Sequence, residues 1–187
     1  MARSLQALLA PRSIAILGAS TDTEKLNGRV LAYLRDKGYA GRVFPVNPKY
    51  AAIGDWPCYP DVAALPESVD LAIIALPARQ VAGAIGECGR AGFRAAIVFS
   101  SGFSETGEQG RALEAELVRA ARAAGVRMLG PNNLGLINAF ERVAATFSQY
   151  ANGETPAGPV GFVTQSGAFG TAIAALARGD LRLCRRA

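Results

Sequence analysis

Short apolar runs in this sequence of 187 residues are followed by small, amide or basic residues whose groups suit the binding of a phosphate. The first such turn is Gly18-Ala19-Ser20, after the run 13–17. Glycine lets the backbone approach an anion closely, and the N–H groups at the start of the next helix favour negative charge. A tight turn would use the same glycine, so phosphate binding and simple turn formation are both open here.

The second turn is Asn47-Pro48-Lys49, which follows Val46 at the end of the run 42–46. Dehydrogenases that bind dinucleotides place an acid here to bind the ribose 2′-hydroxyl, and this sequence has none. A lysine suits a ribose that carries a phosphate, as in the 3′-phosphate of coenzyme A or the 2′-phosphate of NADP. Asn-Pro-Lys is also ordinary turn chemistry with an exposed lysine.

Three further turns follow later apolar runs and add to the candidate binding residues. They are Leu76-Pro77-Ala78, Ser100-Ser101-Gly102-Phe103 and the turn that contains Asn132. A proline can begin a helix or face a ligand, and an amide can both donate and accept hydrogen bonds. Small residues beside an aromatic one could line a narrow slot. Turn formation alone explains much of each segment.

The segment Gln165-Ser166-Gly167 lacks the spacing of a nucleophile elbow, and the sequence contains no histidine to activate Ser166. This pattern favours a helix cap, with phosphate binding as a second role that it could serve. The absence of histidine also removes the Ser-His-Asp triad and the commonest metal ligand. We therefore predict no catalytic residue and no metal site on this chain.

The cysteines also indicate no metal or disulfide site. Cys58, Cys88 and Cys184 are odd in number, far apart and in no Cys-x-x-Cys pair. Neither a disulfide framework nor a zinc site is indicated by that spacing. We interpret all three as incidental thiols.

Alternating strand and helix patterns predict how the turns are positioned. We expect strands at 13–17, 42–46, 71–76, 95–99 and 126–129, and helices at 28–37, 78–88 and 108–124. This order is typical of parallel β-α-β units, which bind ligands beyond the carboxyl ends of the strands, near the point where strand order reverses. The predicted fold is an α/β, Rossmann-like open parallel sheet with helices on both faces.

The pattern also predicts how the chain is divided. We expect a first domain over residues 1–148, a linker over 149–159 and, over 160–187, the first β-α unit of a second, flavodoxin-like α/β domain. That unit would have a strand at 161–164 and a helix at 166–178, and a sixth strand at 144–147 could complete the first domain. One β-α unit cannot cover its own apolar faces, so we expect the second domain to be completed by further sequence or by another chain.

Composition excludes several classes of function. The formal net charge is +5, yet the basic residues are scattered and are not interleaved with aromatic side chains, so no nucleic acid partner is expected. No apolar run approaches the ~20 residues of a membrane span, which favours a cytoplasmic protein without a membrane partner. A positive field suits a polyanionic small molecule.

Six segments, taken in order, resemble the coenzyme A-binding domain of the NDP-forming acyl-CoA synthetases, which is related to the succinyl-CoA synthetase alpha subunit. They are 11–20 (PRSIAILGAS), 41–49 (GRVFPVNPK), 69–78 (VDLAIIALPA), 101–105 (SGFSE), 130–132 (GPN) and 165–168 (QSGA). Each segment is a modest signal, but six in order over most of the chain make a specific one.

The resemblance implies a role for each group of candidate residues. The phosphates of coenzyme A would lie on Gly18, Ala19 and Ser20, with Val46, Asn47, Pro48 and Lys49 around the adenosine end. The pantetheine arm would lie along Leu76, Pro77, Ala78, Ser100, Ser101, Gly102 and Phe103. Asn132 and the turn of Gln165, Ser166 and Gly167 would face the acyl or phosphoryl site.

The resemblance also implies an ATP-dependent ligase that joins a carboxylic acid to coenzyme A. The complete enzyme would use ATP and Mg²⁺, and the remaining ligase and ATP-grasp domains would be supplied in cis or by another subunit. The family activates the carboxylate through a phosphorylated histidine, so this chain alone is expected to be inactive. Asn133 stands where a cysteine is common in the family, which could alter the acyl end of the site, and the identity of the acyl group stays open.

Two other functions fit the same residues. A coenzyme A-binding regulatory module of a protein acetyltransferase, or a stand-alone coenzyme A sensor, would bind the coenzyme without performing chemistry. An NADP-binding dehydrogenase domain is disfavoured because the chain has no Gly-x-Gly-x-x-Gly loop. The tail after Arg178 does not resemble the family's continuation.

Overall fold

The centre of the fold is an open parallel sheet, described in a computed structural model that covers residues 5–180. In chain order the strands are β1 (Ser13–Leu17), β2 (Arg42–Val46), β3 (Ala52–Ile53), β4 (Trp56–Pro57), β5 (Leu71–Ile74), β6 (Ala95–Val98), β7 (Arg127–Leu129), β8 (Gly135–Asn138) and β9 (Val143–Thr146). The α-helices are α1 (Gln6–Leu9), α2 (Leu26–Asp36), α3 (Ala78–Arg90), α4 (Glu108–Ala124) and α5 (Gly167–Asp180). Short 3₁₀ helices span Ser104–Thr106 and Gln149–Asn152.

Five strands pair in parallel in the order β2-β1-β5-β6-β7. The chain moves outward from β1 to β2 and then returns to the other side of β1 with β5. The strand order therefore reverses between β1 and β5, and a ligand is expected beyond the carboxyl ends of these two strands. The predicted Rossmann-like α/β fold is confirmed.

Helices cover both faces of the sheet, as predicted, because the strands are apolar throughout. Each residue of β1, β5 and β6 is buried, which is typical of strands covered on both sides. Ala15 and Leu17 pack in the cluster that includes Leu117 of α4, on the side of α3 and α4. Ile16 packs in the opposite cluster with Val30 of α2. Successive side chains of each strand point to opposite faces of the sheet, so each apolar strand packs against the helices on both sides.

The sixth predicted strand has a different partner from the main sheet. Residues 143–146 form β9, which pairs antiparallel with β8 in a separate hairpin on the α2 face of the sheet. Only four residues separate β8 from β9, and so short a connection permits an antiparallel hairpin but not a parallel crossover. The sequence pattern therefore located the strand but not its pairing.

The strand predicted at 161–164 is not found. A strand needs a neighbour that completes its hydrogen-bond ladder, and no part of the chain between residues 5 and 180 pairs with this segment. The helix predicted after it is present as α5. The proposed division into two domains and a linker stays a prediction, although Ala151 in the predicted linker is fully buried.

Residues 1–4 and 181–187 lie outside the described residues, including Cys184 and the end of the predicted second unit. Among residues 5–180, no helix has the length and apolar character needed to cross a membrane. Within the same part of the chain, no group of three acidic, cysteine or histidine residues is placed to hold a metal ion.

Candidate functional site

The turn after β1 lies directly against the turn after β5, at the point where strand order reverses. Gly18 has a φ of +86°, and a Cβ atom added there would lie 2.6 Å from the carbonyl oxygen of Ala75. Only glycine fits this close approach without a shift of the backbone. The N–H groups of Gly18 and Ala19 donate to the carbonyl oxygen of Val46, at 2.9 and 3.3 Å. These two donors hold the turn to β2, so they are not directed at a ligand.

Asn47 joins the turn after β2 to the turn after β1. Its side-chain Nδ2 donates to the carbonyl oxygen of Ala19 at 2.7 Å, and its Oδ1 accepts the N–H of Lys49 at 3.0 Å. Lys49 is exposed and forms no ion pair with any residue that the structure describes. The amide is therefore structural, and the lysine is the charged group that this turn offers to solvent.

The carbonyl oxygen of Gly18 is held by a residue that sequence patterns did not single out. Asn27, in the first turn of α2, donates its Nδ2 to this oxygen at 2.5 Å. Nearby, Asp22 accepts the N–H of Glu24, which lowers the pKa of its carboxyl group, and it lies 3.4 Å from the ammonium of Lys25. The loop between β1 and α2 is thus ordered by its own side chains.

Tyr50 extends the contact between these two loops. Hydrogen bonds from the side chains of Thr21 and Ser20 lower the pKa of the Tyr50 hydroxyl, and the positive charges of Lys25 and Lys49 act in the same direction. The tyrosine directly follows Asn47-Pro48-Lys49 in the sequence, which is the signal that could have identified it.

The turns after β5 and β6 are joined by one hydroxyl group. Ser100 donates its Oγ to the carbonyl oxygen of Leu76 at 2.6 Å and accepts the N–H of Leu76 at 3.2 Å. A Cβ atom added to Gly102 would lie 3.2 Å from the Cβ of Ala78. The two turns therefore form one surface, with the exposed residues Pro77 and Ser101 on it.

The loop that follows Gly102 is closed by a charged hydrogen bond. Glu105 accepts the N–H of Gly102 at 2.6 Å, and this bond lowers the pKa of the Glu105 carboxyl group. Phe103 is 1% exposed and packs in the core with Leu117. Its ring therefore supports the loop from beneath and does not line a slot.

The fifth turn, after β7, lies next to the fourth. Asn132 donates its N–H to the carbonyl oxygen of Ser100 at 2.9 Å, and its own side chain is exposed. Asn133 accepts the N–H of Gly135 through Oδ1 at 2.6 Å, which closes the turn before β8. Five consecutive turns are thus linked across the sheet in the order of their strands.

The start of α5 lies beside this fifth turn. A Cβ atom added to Gly167 would lie 2.8 Å from the Cδ1 of Leu134. Ser166 accepts the N–H of Phe169 through its Oγ at 3.3 Å, as a capping serine does. Gln165 and Ser166 are exposed. The helix cap predicted from the sequence is present, and it is close enough to extend the same surface.

Two of the helices that begin at this edge, α2 and α3, have no acidic residue in their first turn. Neither α2 nor α3 has a side-chain cap or an acidic residue in its first turn, whereas α4 carries Glu108 there. The first N–H groups of a helix have no partner within it, and the helix dipole adds positive potential. This edge of the sheet is therefore suited to an anionic ligand.

Comparison with known proteins shows the family to which the chain belongs. The profile of the family described as "CoA binding domain" matches residues 12–139, which include all five turns. The chain belongs to this CoA-binding domain family. Its sequence is 44% identical over 169 residues to acetate–CoA ligase [ADP-forming] I of Archaeoglobus fulgidus, covering 90% of this chain and 24% of the relative.

Two further proteins are similar to this chain over most of its length. The alpha subunit of acetate–CoA ligase [ADP-forming] I of Pyrococcus furiosus is 37% identical over 174 residues, covering 91% of this chain and 37% of the subunit. The dinucleotide-forming acetyl-coenzyme A synthetase 1 of Ca. Korarchaeum cryptofilum, solved with phosphate and ADP, superposes with a TM-score of 0.86 at 40% identity over 93% of this chain and 36% of that one. The CoA-binding chain thus spans a quarter to two fifths of the length of these relatives.

The structure brings the predicted site residues of this CoA-binding chain to one edge, but their side chains differ in availability. Ser20, Val46 and Phe103 are buried, and the hydroxyl of Ser100 and the amide of Asn47 are engaged by neighbouring turns. Exposed side chains that remain at the edge are Pro48, Lys49, Pro77, Ser101, Asn132, Gln165 and Ser166. The individual roles predicted for these residues stay predictions.

Proposed function

We propose that this chain supplies the coenzyme A site of an ADP-forming acyl-CoA ligase. The observation that carries the proposal is the convergence of five turns at the edge where α2 and α3 begin with no acidic residue in the first turn and no capping side chain. Coenzyme A is long and carries several phosphates, so it needs an extended surface with positive potential at one end. The named relatives are acetate–CoA ligases, which supports the reaction class.

The phosphates and the thiol arm have different surroundings in this proposal. The diphosphate lies by Ser20 and the start of α2, and Lys49 pairs with the 3′-phosphate of the ribose. The pantetheine arm follows the surface of Pro77 and Ser101, and its thiol end reaches towards Asn132. Ser166 at the start of α5 then lies on the side where the acyl group arrives.

In the complete enzyme the thiol of coenzyme A would displace phosphate from an acyl phosphate, which gives the thioester and inorganic phosphate. The nucleotide, Mg²⁺, the carboxylic acid and the histidine that carries the phosphoryl group would be held by parts other than this chain, since this chain contains no histidine. We propose the cytoplasm as the site of this reaction, with the other domains in cis or on a second subunit.

Isothermal titration calorimetry with coenzyme A, dephospho-coenzyme A and NADP tests the site. We expect Lys49→Ala to weaken coenzyme A by about 1–3 kcal/mol, because it removes a charge-assisted bond to a phosphate. The same substitution should leave the affinity for dephospho-coenzyme A unchanged, since that ligand lacks the 3′-phosphate. Arg119→Gln, which removes one positive charge from the exposed side of α4, is the control for a general loss of charge.

If Lys49→Ala lowers the affinity for coenzyme A and for dephospho-coenzyme A equally, Lys49 does not bind the 3′-phosphate. Absence of binding of either coenzyme to the unsubstituted chain would contradict the site itself. The ligase reaction is tested separately, through the coding sequence around this chain. An ATP-grasp region and a phosphohistidine segment would support the ligase, and an acetyltransferase domain would contradict it.

A further inference from the structure

The opposite edge of the sheet, where the strands begin, carries a row of charged residues that the coenzyme site does not use. Arg12 precedes β1, Asp70 precedes β5, Arg94 precedes β6 and Arg127 begins β7. Adjacent strands are about 4.8 Å apart, so these residues follow one another across the sheet. The backbone fixes their positions, because Arg127 donates its N–H to the carbonyl oxygen of Arg94 at 2.9 Å.

These four residues line one cleft. Its volume is about 770 Å³, and its other lining residues include Gln6, Ser68, Gly92 and Gly125. A cleft of a few hundred to 1,000 Å³ is the size that small-molecule sites usually have. With three arginines and one aspartate, the lining has a clear excess of positive charge.

The charge of Asp70 is already compensated in part. Its carboxylate accepts the backbone N–H of Arg12 at 2.9 Å and lies 3.8 Å from the Nε of the same arginine. The side chain of Arg12 is nevertheless 89% exposed, and Arg94 is exposed as well. The guanidinium groups of Arg12 and Arg94 are therefore accessible to a ligand that enters the cleft.

Neutralisation of helix ends does not by itself account for this row. The helices α3 and α4 end at the cleft, and basic residues commonly offset the negative end of a helix dipole. Each of these helices already has an arginine in its own last turn, namely Arg90 in α3 and Arg122 in α4. The three arginines of the cleft come in addition to these two.

We propose that this cleft binds a small molecule with two or more oxyanion groups, phosphates or carboxylates, independently of the coenzyme at the other edge. The fork of a guanidinium group binds either oxyanion through two parallel hydrogen bonds. Arg94 holds one anionic group, with the positive charge of the half-buried Arg127 beside it, and Arg12 holds a second across Asp70. Because both edges belong to the same rigid sheet, the two ligands can be bound together.

Titration of the ¹⁵N-labelled chain with pyrophosphate and with citrate, followed by NMR, tests the proposal. We expect saturable shifts of the amides of Gly92 and Gly125, at the cleft, that can be separated from shifts of Gly18 and Gly102 at the opposite edge. Arg94→Gln and Arg12→Gln should each weaken the binding about tenfold. Tighter binding of pyrophosphate or of citrate identifies the phosphate or the carboxylate class, and either result supports the site.

Two further variants make the outcome decisive. Asp70→Asn keeps an oxygen acceptor for the N–H of Arg12 but removes the negative charge, so it should tighten the binding of both anions. Arg119→Gln lowers the net charge equally but lies away from the cleft, and it should change the dissociation constant less than twofold. The proposal is wrong if neither anion saturates the cleft amides, if Arg119→Gln weakens binding as much as Arg94→Gln, or if Asp70→Asn weakens it.

Discussion

Side chains that bond across turns determine the shape of the carboxyl edge of the sheet more than those that face solvent. Asn47, Ser100 and Asn27 each bond to the backbone of a turn other than their own, with donor–acceptor distances of 2.5–2.7 Å. Their partners are 9 to 28 residues away in the sequence. Asn47 and Ser100, which the sequence offers as ligand contacts, therefore also hold neighbouring turns together, and their roles towards a ligand stay predictions.

Gly18 provides the sharpest test of this geometry. Alanine at this position would have to adopt a left-handed backbone conformation, and its Cβ atom would lie 2.6 Å from the carbonyl oxygen of Ala75. We expect Gly18→Ala to lower the free energy of unfolding by about 3 kcal/mol, measured by urea denaturation.

Gly54→Ala is the matched control, because Gly54 also has a positive φ, +59°, but nothing lies within 4 Å of the added methyl group. Its expected cost is about 1 kcal/mol, from the backbone alone. Equal losses in the two variants would mean that the turns after β1 and β5 do not touch.

Cys88 yields a prediction about reactivity. Burial on the core-facing side of α3 raises the pKa of its thiol to about 12, while Cys58 is only partly buried and its pKa is raised by desolvation. Thiolates and not thiols react, so Cys88 should resist iodoacetamide at pH 8 in the folded chain. Peptide mapping by mass spectrometry should show Cys58 alkylated well before Cys88, and both alkylated in guanidinium chloride. Comparable rates in the folded chain would contradict the buried position of Cys88.

The sequence identified the location of the turns but not which of their atoms were available. Lys49 and Asn132 are exposed, as a binding role requires. The side chain of Phe103 is buried. The N–H groups of Gly18 and Ala19 donate to the carbonyl oxygen of Val46, because the register of β1 on β2 brings that oxygen within reach. Register and rotamers depend on residues distant in sequence, so a local pattern does not determine them.

At the scale of elements, the packing of α3 on α4 depends on one small residue. Gly89 faces Ala124 so closely that an added Cβ atom would lie 2.5 Å from the Cβ of Ala124, whereas Gly83 of the same helix has nothing within 4 Å. The same substitution in one helix should therefore have opposite effects.

We expect Gly83→Ala to raise the free energy of unfolding by about 0.5–1 kcal/mol, because alanine favours the helix. Gly89→Ala should lower it by about 1–3 kcal/mol, because the two helices must separate. Chemical denaturation of both variants measures the difference. If Gly89→Ala were as stabilising as Gly83→Ala, α3 and α4 would not be packed as described.

The elements of the main sheet were largely predictable because each is specified locally. β1, β2 and α4 have the predicted bounds, and β5 and β6 begin at the predicted residues. Their runs are apolar and their stops are glycines or polar turns. The hairpin of β8 and β9 and the absence of a strand at 161–164 were missed, because pairing depends on a partner segment and not on the composition of the strand.

At the scale of the whole molecule, the two edges of one sheet have different charges and different proposed ligands. The carboxyl edge offers helix N-termini and Lys49, and the amino edge offers arginines at the ends of α3 and α4. A parallel sheet puts all helix N-termini at one edge and all C-termini at the other, so this polarity follows from topology alone. Sequence analysis placed the candidate binding residues at the carboxyl edge, because ligands of open parallel sheets are expected beyond the carboxyl ends of the strands.

The boundary of the first folding unit can be found by truncation at two positions. Ala151 is fully buried in a cluster with Tyr33 and Ala144, and Lys37 donates its Nζ to the carbonyl oxygen of Gly153 at 2.6 Å. A chain that ends at residue 148 loses both contacts, which should lower its Tm by about 5–10 °C. A chain that ends at residue 159 keeps them. It loses residues such as Val160 and Val163, which are 85% and 98% exposed, so its Tm should stay within about 2 °C of that of the full chain.

Differential scanning calorimetry compares the three chains. A large loss of stability at 159 would show that α5 is part of the first unit, and equal stability at 148 and 159 would show that residues 149–153 are a linker.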